Sequence, residues 1–126
     1  MNAMSGKRRF LAALLGGRVD RVAVGSPTSV ATVEQMELTG AFFPQAHLDA
    51  PTMARLAAGA YDILGYDAIM PVFSVAQESA ALGCDVDWGG LDMMPVARNH
   101  PFVEPEQIQI PDDFLERPPI KTVLDA

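Results

Sequence analysis

Two short polar runs follow apolar segments in this chain, and they hold the residues best placed to touch a ligand. Ser26, Thr28 and Ser29 come directly after the apolar residues 21–25, while Ser74, Gln77 and Glu78 come after residues 67–73. Hydroxyls and an amide can orient a substrate through hydrogen bonds, and Glu78 adds a carboxylate. A plainer reading makes Ser26 and Ser74 turn and cap residues, with Glu78 favoured by the positive end of a helix. Metal chemistry finds little support. His47 and His100 fall in loop-like surface segments, Cys84 reads as a small buried hydrophobe, and two isolated histidines do not make a site. Asp85, Asp87 and Asp92 suggest calcium, but strand-like alternation puts the first two on a solvated face. Met70, Met93 and Met94 lie in apolar stretches, where methionine is more often core filler than ligand surface.

The elements that would position these residues can be read in order. Phe10, Leu11, Leu14 and Leu15 share a helix face, with Ser5 as cap and Gly16-Gly17 as stop. Residues 21–25 read as a short buried strand ended by Ser26-Pro27. Thr32 caps a second helix over residues 33–38, closed by Gly40. Residues 42–44 make a loop. Asp49 then caps a long helix with Pro51 just inside its start, and Met53, Leu56, Ala57, Ala60, Ile63 and Leu64 form its apolar stripe before Gly65. Residues 67–73 form the most strand-like run, shortened or distorted at Pro71. A helix from Ser74 to Leu82 and a hairpin of residues 84–88 with 93–98 complete the ordered part. Residues 101–119 read as a Pro-rich connector with one helical turn near residues 112–115, and residues 118–126 as the start of a further element. Strands alternating with helices predict parallel βα units.

Bulk properties narrow the function classes. The apolar fraction of 49% and mean hydropathy of +0.15 exclude a disordered chain and sit slightly high for a free-standing small domain, as expected if some apolar faces await further chain. No charge-free run reaches the roughly 18 residues of a membrane span, and the basic opening lacks the apolar run and cleavage site of a secretory signal. The net charge of −7 argues against nucleic acid. Five of the nine basic residues fall in the first 21 positions, so the rest of the chain is strongly acidic. A lone cysteine gives no disulfide framework and suits a reducing cytoplasm.

Four segments carry a family resemblance. Gly6-Lys7-Arg8-Arg9-Phe10-Leu11-Ala12-Ala13-Leu14 and Gly17-Arg18-Val19-Asp20-Arg21-Val22-Ala23-Val24 come first. Tyr61-Asp62-Ile63-Leu64-Gly65-Tyr66-Asp67-Ala68 and Ala80-Ala81-Leu82-Gly83-Cys84-Asp85-Val86-Asp87-Trp88-Gly89 follow. In this order they resemble the amino-terminal portion of the superfamily of uroporphyrinogen decarboxylase and the methylcobamide:coenzyme M methyltransferases. The resemblance implies an α/β fold: a partial (β/α)8 TIM barrel, with an opening helix and the first few βα units. A whole barrel takes about 250 residues, so residues 1–126 would be one amino-terminal piece with open edges.

The departures favour the methyltransferase branch. Decarboxylases of the family carry an Arg-Gln-Ala-Gly-Arg loop after the first strand, where this chain has Gly25-Ser26-Pro27-Thr28-Ser29-Val30 and no arginine between Arg21 and Arg55. A polycarboxylate substrate needs such cations. The family's Phe-Ser-Asp is here Phe73-Ser74-Val75. The resemblance therefore implies methyl transfer from a corrinoid protein to a thiol such as coenzyme M, activated by zinc held on a histidine and two cysteines. No His-x-Cys pair occurs here, so catalysis and zinc binding are expected outside this chain, leaving Ser26, Thr28, Ser29, Ser74, Gln77 and Glu78 as pocket candidates at the carboxyl ends of strands. Met70, Met93 and Met94 would face the corrinoid if they face any ligand. The expected partners are the corrinoid protein, the thiol, and the remainder of the barrel or a second copy, with no nucleic acid and no membrane. Alternatives are a non-catalytic partner-binding or split-gene subunit of the same fold and, with both polar handles missing, less plausibly a uroporphyrinogen decarboxylase.

Overall fold

The computed structural model describes residues 3–26 and 31–126. Helix α1 (Gly6–Leu14) starts where the Ser5 hydroxyl accepts the Arg8 N–H, and Gly16, at φ 69°, turns the chain out of it. Its inner face is Gly6, Arg9 and Phe10. A Cβ on Gly25 would come within 2.8 Å of the Phe10 ring, so the helix lies directly on the segment that follows it.

Residues 21–25 and 67–73, expected as strands, are extended segments joined by one parallel bridge, Gly25 to Ala68. The Asp67 N–H donates to the Val24 carbonyl at 2.7 Å beside it. The expected ladder is absent among the described residues for two reasons. Val22 is exposed at 81%, so the start of this segment is left uncovered, and Pro71 cannot donate to a ladder.

Helix α2 (Val33–Thr39) is capped by the Thr32 hydroxyl and closed by Gly40 in the left-handed conformation. Residues 45–48, expected near a loop, form a single helical turn, α3 (Gln45–Leu48). Helix α4 (Ala50–Asp62) begins with the Asp49 carboxylate accepting the Thr52 N–H, and Pro51 sits in its first turn. Met36, Ala41, Ala46, Met53, Leu56, Ala57 and Phe73 form the core between these helices. Gln35 ties α2 to α4 by donating its amide to the Leu56 carbonyl at 2.9 Å. The expected apolar stripe of α4 holds through Ala60, whereas Ile63 and Leu64 are exposed because the helix ends before them.

Helix α5 (Gln77–Ala81) is shorter than expected and begins after Ala76 rather than at Ser74. Strand β1 (Val86–Asp87) pairs antiparallel with β2 (Val96–Ala97), with Val86 opposite Ala97 and Asp87 opposite Val96. This is the expected hairpin, cut to two residues a side. Cys84 lies outside it and is half-buried, not a buried hydrophobe. The tail forms two 3₁₀ turns, Pro105–Gln107 and Phe114–Glu116, then helix α6 (Pro118–Asp125). Pro118 and Pro119, expected within the connector, open α6, where a missing N–H costs nothing. Ile120 is buried and Val123 packs on the core, so α6 covers α3, α4 and α5. No described helix is long and apolar enough to cross a membrane.

Candidate functional site

The parallel bridge sends both extended segments out on the same side. Ser26, half-buried, stands one residue beyond Gly25, and the chain beyond Ala68 leads on to Ser74. Thr28 and Ser29 lie outside the described residues. The Ser74 hydroxyl is buried, donates to Gln77 Oε1 at 2.5 Å and accepts the Ala76 N–H at 3.3 Å. Gln77 is also buried and donates its amide to the His47 carbonyl at 3.2 Å. Ser74 and Gln77 therefore form a bonded pair that fixes the approach to α5. Glu78, on the first turn of α5, is exposed. The structure brings Ser74 and Gln77 together with α3 and leaves Glu78 outside that contact.

His47 corrects the expectation of a surface loop residue. It sits on α3 at 0% exposure. Its ring stacks on Phe43 at a centroid distance of 4.2 Å and lies 6.3 Å from the Trp88 ring. Both ring nitrogens are buried without a hydrogen-bond partner among the described residues, and burial pushes the imidazole pKa down to about 4. The spacing of Phe43 and His47 at i, i+4 was the available signal, hidden by the loop reading of Pro44.

A pH dependence follows. The unfolded imidazole has its ordinary value of 6.5, so the unfolded chain takes up the proton first on acidification. The stability tied to neutral His47 is complete above about 6.5, is lost as pH falls towards 4, and falls no further below that. Trp88, the sole tryptophan, reports it by fluorescence. His47→Phe keeps an aromatic ring against Phe43 and should flatten that slope; an unchanged slope would assign it to other groups.

Met93 and Met94, expected as core filler, are exposed, as is Met70. The first two join Val33, Met36, Phe43 and Leu91 in lining an apolar cleft of about 230 Å³ between α2 and the hairpin turn. Gly89, at φ 77°, lets the turn pass so close to the Met93 carbonyl that a Cβ there would run into it.

At the amino ends of the two extended segments lies a charged cluster. Arg9, buried on α1, donates to both Asp20 oxygens, to Asp67 Oδ1 and to the Met4 carbonyl. Arg21 donates to both oxygens of Asp67, which also accepts the Val24 N–H. Every guanidinium nitrogen of Arg9 is engaged, so the cluster clamps α1 to both segments. Among the described residues no three His, Cys, Asp or Glu side chains converge as metal ligands, and His100 and Cys84 lie apart from any such group. The residues present do not fit a zinc site of the kind the resemblance implies.

The pattern of the uroporphyrinogen decarboxylase (URO-D) family matches residues 5–126. The chain belongs to that family. Within it, the chain is 40% identical over its whole length to a methylated-thiol–coenzyme M methyltransferase of Methanosarcina mazei, and covers 34% of that protein. It is 35% identical to the methylcobamide:CoM methyltransferase MtbA of the same organism, covering 38% of it. A solved methyltransferase from Methanosarcina mazei superposes with a TM-score of 0.88 at 34% identity, over 97% of this chain and 36% of that one. The chain thus spans about a third of the length of these relatives. The family is one of TIM barrels, and the α/β course of the chain follows its solved neighbour over the shared third.

Proposed function

We propose that this chain is the amino-terminal part of a methyltransferase that moves a methyl group from a methylcobamide to a thiol such as coenzyme M, and that it supplies the first units of a (β/α)8 barrel. The observation that carries this reading is the end-to-end similarity, at 34–40% identity, to coenzyme M methyltransferases. Two features of the chain support it against decarboxylation. Val75, where a decarboxylase of the family would present an aspartate, is an exposed apolar side chain without a polar atom. No arginine stands between Arg21 and Arg55 to hold a polycarboxylate.

In this reading a zinc ion, held by residues other than the described ones, would lower the pKa of the acceptor thiol. Ser26 and Glu78 contribute to the pocket at the side where both extended segments exit, Thr28 and Ser29 are proposed for the same role from their place in the sequence alone, and Ser74 and Gln77 hold that wall in place through the His47 carbonyl. A corrinoid protein and a small thiol are the partners of the complete enzyme, and the 126 residues are inactive alone.

The test joins this chain to the part of the Methanosarcina mazei methylated-thiol–coenzyme M methyltransferase that follows the aligned third. Methyl transfer from methylcobalamin to coenzyme M is expected in the joined protein with zinc, and in neither piece alone. Turnover or stoichiometric zinc binding by the 126-residue chain would contradict the reading, as would a joined protein that decarboxylates uroporphyrinogen.

A further inference from the structure

Helix α1 leaves an apolar face exposed to solvent. Gly6, Arg9 and Phe10 face the extended segments, while Leu11, Leu14 and the C-cap Leu15, expected on one face with Phe10, stand out beside it, the last two exposed at 68% and 85%. These leucines are spaced i, i+3, i+4, so they form one continuous stripe. The helix is not loose, since Arg9 pins it through Asp20 and Asp67. An apolar stripe on a firmly held helix needs a cover.

We infer that this leucine face of α1 is the seam against which chain lying beyond residue 126 packs in a protein as long as the relatives. The inference rests on the reading of this chain as the amino-terminal part of such a protein. Three observations select that occupant. The relatives have about two thirds of their length with no counterpart here. The adjoining parallel segments also expose Val22, Val24, Ile69 and Met70, and a parallel pair is normally covered on both faces. A second copy of this helix meets unfavourable charge. Lys7 and Arg8 flank one end of the stripe and Arg18 follows the other, so two copies of α1 would bring cation to cation in either orientation.

The experiment places Leu14→Glu, and separately Leu11→Glu, in two backgrounds: the 126-residue chain and the joined protein described above. Val103→Glu, at an exposed position in the tail, is the control. In the short chain all three should leave the α1 amide protection unchanged. In the joined protein the two leucine variants should lower the unfolding midpoint by roughly 5 °C or more, and the control should not. Equal tolerance in both backgrounds overturns the seam. So does a leucine variant that instead abolishes self-association of the short chain, or its binding to vesicles of mixed zwitterionic and anionic lipid. Methyl transfer is scored separately: a joined protein that is destabilised by Leu14→Glu but transfers no methyl group keeps the seam and loses the proposed activity.

Discussion

Asp67→Ala is expected to release α1 from the rest of the molecule. The Asp67 side chain is almost wholly buried and accepts from Arg9, from two nitrogens of Arg21 and from the Val24 N–H. Its own N–H donates to the Val24 carbonyl, so one residue binds α1 and both extended segments. Alanine would leave the Arg9 guanidinium buried with only half its carboxylate partners, and an uncompensated buried charge is among the most destabilising changes a protein can suffer. Asparagine should not rescue it, because its NH₂ would face guanidinium and backbone donors. The measurement is native-state hydrogen exchange of the α1 amides, whose protection should fall roughly a hundredfold. Protection within a few-fold of wild type would show that core packing alone holds the helix.

The same cluster sets an acid limit distinct from that of His47. The Val24 N–H, then Arg9 and Arg21, hold the Asp67 carboxyl below the usual carboxylate range, and Arg9 first of all does the same for Asp20. Their contribution is therefore complete above the ordinary value of 3.8 and is lost only as pH falls below it. Protection of α1 should hold through the His47 window and fail beneath it.

Leu56→Ala should cost about 2–5 kcal/mol, the range for truncating a fully buried leucine. Leu56 is inaccessible at the centre of α4, among Met36, Met53, Ala57 and Phe73. Its carbonyl also receives the Gln35 amide, so a backbone shift that filled the cavity would stretch the tie between α2 and α4. Ile63→Ala and Leu64→Ala, at exposed positions past the helix end, should change stability by no more than about 0.5 kcal/mol. Amide exchange across α4 reads all three locally. Comparable losses at Leu56 and Leu64 would mean that the core extends beyond the helix terminus.

Local chemistry was legible in the sequence. Ser5, Thr32 and Asp49 cap the helices they were expected to cap, and Gly16, Gly40, Gly65 and Gly83 adopt the positive φ that ends each helix. These signals depend on a few neighbouring residues and survive the loss of any distant partner. The family was legible too, since motif order is a property of the chain itself. Extent of strand was not: residues 21–25 and 67–73 carry strand composition, yet a ladder requires neighbours that composition cannot supply. Burial was misjudged for the same reason. His47 has the type and setting of a surface residue, and only the meeting of Phe43 with the Trp88 hairpin encloses it. Met93 and Met94 have the type of core filler, yet they stand exposed along the cleft beside α2. The sequence by itself determined where helices start and stop and which family the chain joins. Tertiary structure alone decided which side chains lose water, because that depends on residues brought together from far apart in the chain.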